Sequence, residues 1–324
     1  MAGIMSAAMM PFAARAQSPT SPRRIGVLMG YANDAIAQER LAPFRRGLES
    51  SGWIDGRNVR IDYRFAVSNP ALMRTYAAEL VALAPDVIFA STPQVVTVLK
   101  QQTRDIPVVF VNVADPVGAG LAQSLASSGN NLTGFANFDL SIGGKWLGLL
   151  KEIEPTLSQA SVLMMPQHVT NAGLFREIEA AAATLELHVI QSLVRDAAEI
   201  ERAINAAAAA REPGRAGMIV LPSPVTTDKH ELIVATTARV RLPAIYPYRD
   251  LAKGGGLMSY GPDIGDDYRR AASYVDRILR GERPSGLPIQ APTKYELVIN
   301  LKTARAMALD VPATLLARAD EVIE

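Results

Sequence analysis

Residues 254–324 read GGGLMSYGPDIGDDYRRAASYVDRILRGERPSGLPIQAPTKYELVINLKTARAMALDVPATLLARADEVIE, and the order of patterns along this stretch decides the fold. A short apolar strand at 257–259 runs into Tyr260-Gly261-Pro262-Asp263, whose Gly and Pro fit a turn rather than a continued strand. A long amphipathic helix follows. Asp263 fits its N-cap, Asp266 stands in its first turn, and Tyr268, Ala271, Ala272, Val275, Ile278 and Leu279 recur at helical spacing. Arg280-Gly281 closes the helix, Pro284, Gly286 and Pro288 make an extended connector, and residues 295–300 read as another strand. The strand finishes one unit and the helix begins another, so the chain is expected to cross between two lobes here, twice. Lobes that share several crossings can open and close as a jaw.

Upstream, strands and helices alternate. Residues 24–29 (RIGVLM) read as a buried parallel strand, and 59–65 alternate apolar with charged residues, as a strand nearer a sheet edge does. Residues 86–90 (DVIFA) and 107–111 (PVVFV) are two further strands, with helices between. Such spacing means βαβ units, a mostly parallel sheet and right-handed crossovers. Residues 132–138 lack a clean period and are taken as the first crossing into a helix carrying Trp146. The alternation then repeats, with strands at 161–165, 188–193, 218–221 and 244–246 and helices at 173–185, 196–210 and 228–240. Asp196 with Glu199 makes a capping-box-like start. The fold class is therefore α/β, two Rossmann-like lobes with parallel sheets joined at a hinge. The expected division is 1–22 as signal peptide and leader, 23–135 with 262–290 as lobe one, and 136–261 with 291–324 as lobe two.

Composition narrows the function. A chain of 324 residues, 49% hydrophobic, is long enough for two lobes with separate cores. Its 33 basic and 32 acidic residues are interspersed and leave a net charge of +1, without the footprint that nucleic-acid binders show, so no nucleic acid is expected as a partner. There is no cysteine, which excludes thiol catalysis, disulfides and cysteine-held metals. His168, His188 and His230 fall in different segments, so no metal site is expected. The N-terminus carries small apolar residues and Met up to Ala14-Arg15-Ala16, an A-x-A pattern that predicts signal cleavage after Ala16 and a periplasmic mature protein. The usual positive n-region is missing, so either the true start lies upstream or the leader is not a signal. No other stretch approaches the ~20 apolar residues of a membrane span.

In open parallel sheets, ligands sit beyond the carboxyl ends of the strands, where helix N-termini offer free N–H groups. The candidates standing there are Tyr31, the Ser91-Thr92 pair, Asp115, Gln167 and Asn171, Ser223, Tyr246 and Tyr260, all expected to face the cleft. Ser91-Thr92 is the leading one, because two hydroxyls at a helix start can present side-chain and backbone donors to one carboxylate; ordinary N-capping is the competing use. Asp115 suits an ammonium or ligand N–H, or a turn. Tyr31, Tyr246, Tyr248 and Tyr260 can wall an apolar or aromatic ligand. His168 ends a strand on a polar stretch. The sequence holds no G-x-G-x-x-G after its first strand, no P-loop, no G-x-S-x-G and no H-E-x-x-H, so no catalytic residue and no cofactor is assigned.

Several motifs, in order, carry a family resemblance: RIGVL at 24–28, FRRGL at 44–48, GRNVRIDY at 56–63, IPVVFVNVADPVGAG at 106–120, NLTG at 131–134, RLPAIY at 241–246, GGLMSYGP at 255–262, PTKYELVINLK at 292–302 and ADEVIE at 319–324. Over residues 24–324 the chain resembles ABC-transporter substrate-binding proteins of the tryptophan-binding, TrpX-like type, which are similar to type I periplasmic binding proteins. The resemblance implies two Rossmann-like lobes joined by three crossings, a small ligand gripped at the hinge, and a monomeric receptor that presents its closed form to an ABC permease in the inner membrane. It implies a ligand that is an amino acid or related carboxylate, aromatic in some relatives, and ligand-lining roles for the Ser91-Thr92, Asp115 and Ser259-Tyr260 regions. The chain departs from relatives at 90–94, where they often have a glycine-containing turn, and at 164–168, where a Trp-Asn-Pro-type sequence is common, so its ligand is allowed to differ from tryptophan. The alternatives are a ligand-sensing receptor domain and an enzyme on the same architecture.

Overall fold

The computed structural model describes residues 22–324 except 68, 167, 211–215 and 293. The expected leader, its cleavage point after Ala16, and the candidate ligand contact Gln167 lie outside the described residues.

Lobe one is built from β1 (Arg23–Met29), α1 (Ala35–Ser50), β2 (Val59–Phe65), α2 (Pro70–Ala82), β3 (Val87–Ser91), α3 (Pro93–Gln102), β4 (Val108–Val113) and β5 (Leu132–Ala136). Its five strands are all parallel, in the order β2-β1-β3-β4-β5. The interior position of β1, between β2 and β3, follows from its composition: Ile25, Val27 and Met29 pack on one face while Leu28 packs on the other, all buried. β2, with charged alternate positions, is an edge strand as its pattern predicts.

Lobe two starts with α4 (Ile142–Ile153) and continues through β6 (Gln159–Met164), α5 (Val169–Leu185), β7 (His188–Leu193), α6 (Ala197–Ala209), β8 (Ala216–Val220), α7 (Pro224–Asp228), α8 (His230–Arg239), β9 (Ala244–Tyr246), α9 (Arg249–Lys253) and β10 (Met258–Pro262). The chain then makes α10 (Ile264–Leu279), β11 (Tyr295–Asn300), α11 (Leu301–Ala306), α12 (Ala313–Leu316) and β12 (Glu321–Ile323). Sheet two runs β12-β11-β10-β9-β8-β6-β7. All its neighbours are parallel except β10 and β11. That exception has a topological cause. The chain leaves lobe two by β10 and returns by β11 at the same end, where Pro262 pairs with Tyr295, so the two strands must run in opposite directions.

α10 follows β10 in sequence but packs against α1 and sheet one. The six apolar residues of its expected stripe are all buried, together with Asp267 and Tyr274. Asp263 caps it by accepting from the Asp266 N–H at 3.2 Å. Burial of Val275, Ile278 and Leu279 contributes on the order of 1.5–3 kcal/mol each, enough to hold the helix on lobe one although both flanking strands belong to sheet two.

Three local expectations are corrected. Residues 260–262 are not a turn: β10 continues through them, because pairing with β11 carries the ladder to Pro262. Gly261 is required there, since a Cβ would lie 1.8 Å from the Pro247 carbonyl oxygen. The helix expected at 228–240 begins earlier, at Pro224, where Ser223 and Thr226 form a capping box, and it is broken at Lys229 into α7 and α8. Residues 132–136 are an edge strand of sheet one rather than a crossing; the chain passes to lobe two just after them. Among the described residues no helix is long and apolar enough to cross a membrane.

Candidate functional site

The carboxyl ends of both sheets face one cleft. From lobe one, β1 delivers Gly30 and Tyr31, β3 delivers Thr92 at the start of α3, and β4 delivers Asn112 and Ala114. From lobe two, β6 delivers Met165 and then His168 at the start of α5, β8 delivers Pro222 and Ser223, and the segment after β9 delivers Tyr248. The first crossing adds Asn137 and Phe138. Together with Pro70, Met73, Pro93 and Val98 these residues enclose about 290 Å³, near the lower end of small-molecule sites and too small for a polymer.

One wall is a hydrogen-bonded network across the lobes. Asn112 donates to the Tyr31 hydroxyl. Its Oδ1 accepts from Asn137 Nδ2 at 2.5 Å and from the Tyr248 hydroxyl at 3.3 Å. Asn112 sits in the left-handed region at φ 59°, which asparagine tolerates better than most residues and which turns its amide back over the strand end. Behind this wall, the Arg40 guanidinium of α1 lies 5.2 Å from the Tyr31 ring centre and 5.6 Å from that of Tyr248, and reaches Asp250 of lobe two at 3.4 Å. Burial raises the pKa of both tyrosines, so their hydroxyls stay protonated at neutral pH.

Two atoms in the cavity lining are left over. Thr92 Oγ1 and Asn137 Oδ1 are buried and have no hydrogen-bond partner. Thr92 occupies the N-cap position of α3 but makes no capping bond, and its φ of 92° with ψ of 145° belongs to a region that is nearly glycine-only. Gly30 makes room for it: a Cβ at position 30 would lie 2.5 Å from Thr92 Oγ1. Strain of this kind, on the order of 1–3 kcal/mol, persists only where the surroundings over-determine it, and here it aims an unused hydroxyl at the start of a helix whose first-turn N–H groups lack intrahelical partners. On the facing lobe, His168 caps α5 by accepting from the Asn171 N–H on Nδ1 at 3.4 Å, and burial lowers its pKa. It is therefore neutral at neutral pH, with its proton on Nε2.

Of the sequence candidates, Tyr31, Thr92 and Ser223 line the cavity. Tyr248 lines it as well, while Ser91, Asp115, Asn171 and Tyr246 have their polar groups bonded elsewhere. Ser91 is buried with its hydroxyl on that of Tyr268 at 2.8 Å. Asp115 turns to the Gly118 N–H at 2.8 Å, its turn role. Asn171 binds the Met165 N–H and the Pro222 carbonyl. Tyr246 is packed inside lobe two with its hydroxyl on Thr237 at 2.7 Å, and Tyr260 stacks on Tyr295. Contrary to the expectation that they face the cleft, these five are not among the residues that line this cavity. Asn112, Asn137 and Arg40 were missed. Asn112 stands directly at a strand end and was legible by position; Asn137 and Arg40 reach the site only through the crossing and through α1.

This is the geometry of a type I periplasmic binding protein, two parallel α/β lobes closed over a hinge-side cavity. The chain belongs to the ABC transporter substrate binding protein family, whose profile matches residues 24–323. It is 25% identical over 265 residues to a protein of Clostridioides difficile (strain R20291) described as a tyrosine-binding protein, covering 82% of this chain and 75% of that one. Its fold superimposes with a TM-score of 0.85 on an ABC domain from Streptococcus pneumonia solved in complex with L-Trp, at 22% identity, covering 94% of this chain and 100% of the other. A conserved domain protein from Vibrio cholerae O1 biovar eltor also gives 0.85, at 25% identity and with 93% and 100% coverage.

Proposed function

We propose that the chain is the extracytoplasmic receptor of an ABC importer, binding a small carboxylate, an amino acid or a related acid with an aromatic or apolar body, by closing its lobes without altering the ligand. The observation that carries this reading is the pair of unpartnered buried atoms, Thr92 Oγ1 and Asn137 Oδ1, in an enclosed cavity between the lobes. A buried polar atom without a partner costs about 1–3 kcal/mol, and a ligand supplying both partners recovers it. The first turn of α3 offers N–H groups to a carboxylate, while Phe138, Met73 and Val98 suit an apolar body. The tyrosine-binding relative and the L-Trp complex support the ligand class, and the family supports a permease as the partner of the closed form. Because the ligand touches both lobes, it stabilises the closed state in proportion to its differential affinity.

The test is a thermal-shift screen of the purified protein against amino acids, aromatic acids, nucleosides and sugars. A ligand at a hundred times its Kd adds roughly 2.7 kcal/mol, a shift of a few degrees in Tm. Shifts confined to carboxylates bear the reading out; shifts confined to sugars or nucleosides refute it.

A further inference from the structure

The receptor reading leaves open whether the acid carries an ammonium group, and the charges around the cavity decide between the two. Among the described residues lining it there is no Asp, Glu, Lys or Arg. His168, the one lining histidine, is neutral at neutral pH because burial lowers its pKa. The charge standing directly behind the tyrosine wall is a cation, Arg40, against the rings of Tyr31 and Tyr248. Of the carboxylates beside it in sequence or behind its wall, none lines the cavity: Asp250 pairs with Arg40, Asp115 accepts from the Gly118 N–H and Asp139 from the Ser141 N–H, while Asp34 and Asp228 line a neighbouring pocket. Both long helices that open onto the cleft, α3 and α5, present their N-terminal, partially positive ends. Arg40 and the two helix starts therefore favour negative charge, and among the described lining residues a buried ammonium would have no counter-ion.

The orphan atoms give the same answer in hydrogen-bond terms. Asn137 already donates Nδ2 to Asn112 and to Tyr248, so the part of it left for a ligand is the acceptor Oδ1, which takes at most two donors. The Tyr248 hydroxyl is used, donating to Asn112 and accepting from Asn137. One or two neutral N–H or O–H donors satisfy that oxygen; the three protons of an ammonium exceed its two lone pairs, and no carboxylate among the described lining residues takes up the charge. Thr92 Oγ1, a hydroxyl able to donate, stands beside the free N–H groups of α3, the arrangement an anion needs.

We propose that the cleft selects a carboxylate without an α-ammonium group, its carboxylate at the first turn of α3 beside Thr92 and a neutral N–H or O–H of its body on Asn137 Oδ1. This rests on the receptor reading and narrows it. Titration calorimetry of the intact protein with matched pairs tests it: L-tyrosine against 3-(4-hydroxyphenyl)propionate, L-tryptophan against 3-(indol-3-yl)propionate, and L-leucine against 4-methylpentanoate. In at least one pair the acid without ammonium should bind about tenfold tighter or better, the scale set by burying an unpaired charge. Equal or tighter binding of the amino acid in every pair that binds overturns the selectivity and leaves the carboxylate-receptor reading standing. No binding in any pair overturns both. Asn137→Asp, near-isosteric and checked for an unchanged fold by its melting curve, supplies a counter-ion and should shift the ratio within the binding pair about tenfold toward the amino acid; an unchanged ratio removes Asn137 from the discriminating role.

Discussion

Arg40 is anchored on lobe one but spends its charge on lobe two, and replacing it should weaken ligand binding without unfolding either lobe. In Arg40→Met the aliphatic stem is kept, while two contacts across the cleft are lost: the approach to the Tyr248 ring at 5.6 Å and the ion pair to Asp250 at 3.4 Å. A cation–π contact of a desolvated guanidinium contributes about 0.5–2 kcal/mol. The ion pair adds about 0–1 kcal/mol, at the low end because the Asp250 side chain is one-third exposed and the distance is long. Against this, Arg40 Nε is buried without a partner, and methionine relieves that cost. The two losses sum to about 0.5–3 kcal/mol and the relief at Nε subtracts about 1 kcal/mol or more, so the net loss to the closed state is at most about 2 kcal/mol, or up to roughly 30-fold in affinity. The contact to Tyr31 lies within lobe one and should appear instead as a modest fall in the ligand-free Tm.

The assay is calorimetry with the strongest ligand from the thermal screen, paired with small-angle scattering of the ligand-free protein. Arg40→Met should bind more weakly and populate a wider ligand-free form. Asp250→Asn, which removes the ion pair alone, should lose no more than about fivefold. Affinity within twofold of the parent, with scattering unchanged, would refute the idea that Arg40 holds the lobes together.

Thr92→Gly should separate stability from affinity: glycine relieves the φ of 92°, so Tm holds or rises by the equivalent of about 1 kcal/mol, while binding of a carboxylate falls several-fold with loss of the hydroxyl. A fall in both on calorimetry and melting would mean the hydroxyl is structural. Asp267 is buried with Oδ2 unpartnered, and burial raises its pKa to about 7, well above the ordinary carboxylate value of 3.8. Its folded pKa lies above the unfolded one, so its contribution is fully present below about pH 4 and is lost as pH rises through about 7, an upper figure of about 4 kcal/mol. Asp267→Asn should therefore raise Tm at pH 8 and leave it nearly unchanged at pH 4; equal shifts at both would contradict the linkage. His168 has the opposite sign. Its lowered folded pKa means that stability falls as pH drops below the ordinary histidine value of 6.5, and His168→Asn should flatten that limb of a Tm-against-pH curve. Gly261→Ala, which sets a Cβ 1.8 Å from the Pro247 carbonyl, should cost several kcal/mol and read as a large drop in denaturant midpoint.

The architecture was legible because its signals are local and repeated. The continuous apolar runs of β1, β3 and β4 can lie only in a sheet covered on both faces, and the stripe of α10 has the period of a helix with one buried side. What escaped was short or set by context. α9, α11, α12 and β12 span three to six residues, too few for a period to show. Gly261-Pro262 carries turn composition, yet the neighbouring strand β11 keeps it extended. Composition reports what a segment tolerates; the ladder beside it decides what it does.

At the site the same division separates positions from atoms. The rule that ligands meet the carboxyl ends of parallel strands found the right loops, and Tyr31, Thr92 and Ser223 stand on the cavity. It did not tell which polar atoms would remain unused, because that depends on partners far away in sequence: Tyr268 takes Ser91, and Thr237 takes Tyr246. Thr92 shows how far local reasoning can go. A threonine before Pro93 at a helix start has every local reason to cap, yet with its backbone at φ 92° it makes no capping bond. The hydroxyl is thus left without a partner at the start of the helix, on the cavity between the lobes. A fold selected for stability alone would close that bond; leaving it open, at the cost of a strained residue, makes sense when a third party supplies the missing oxygen atoms, and a carboxylate brings two.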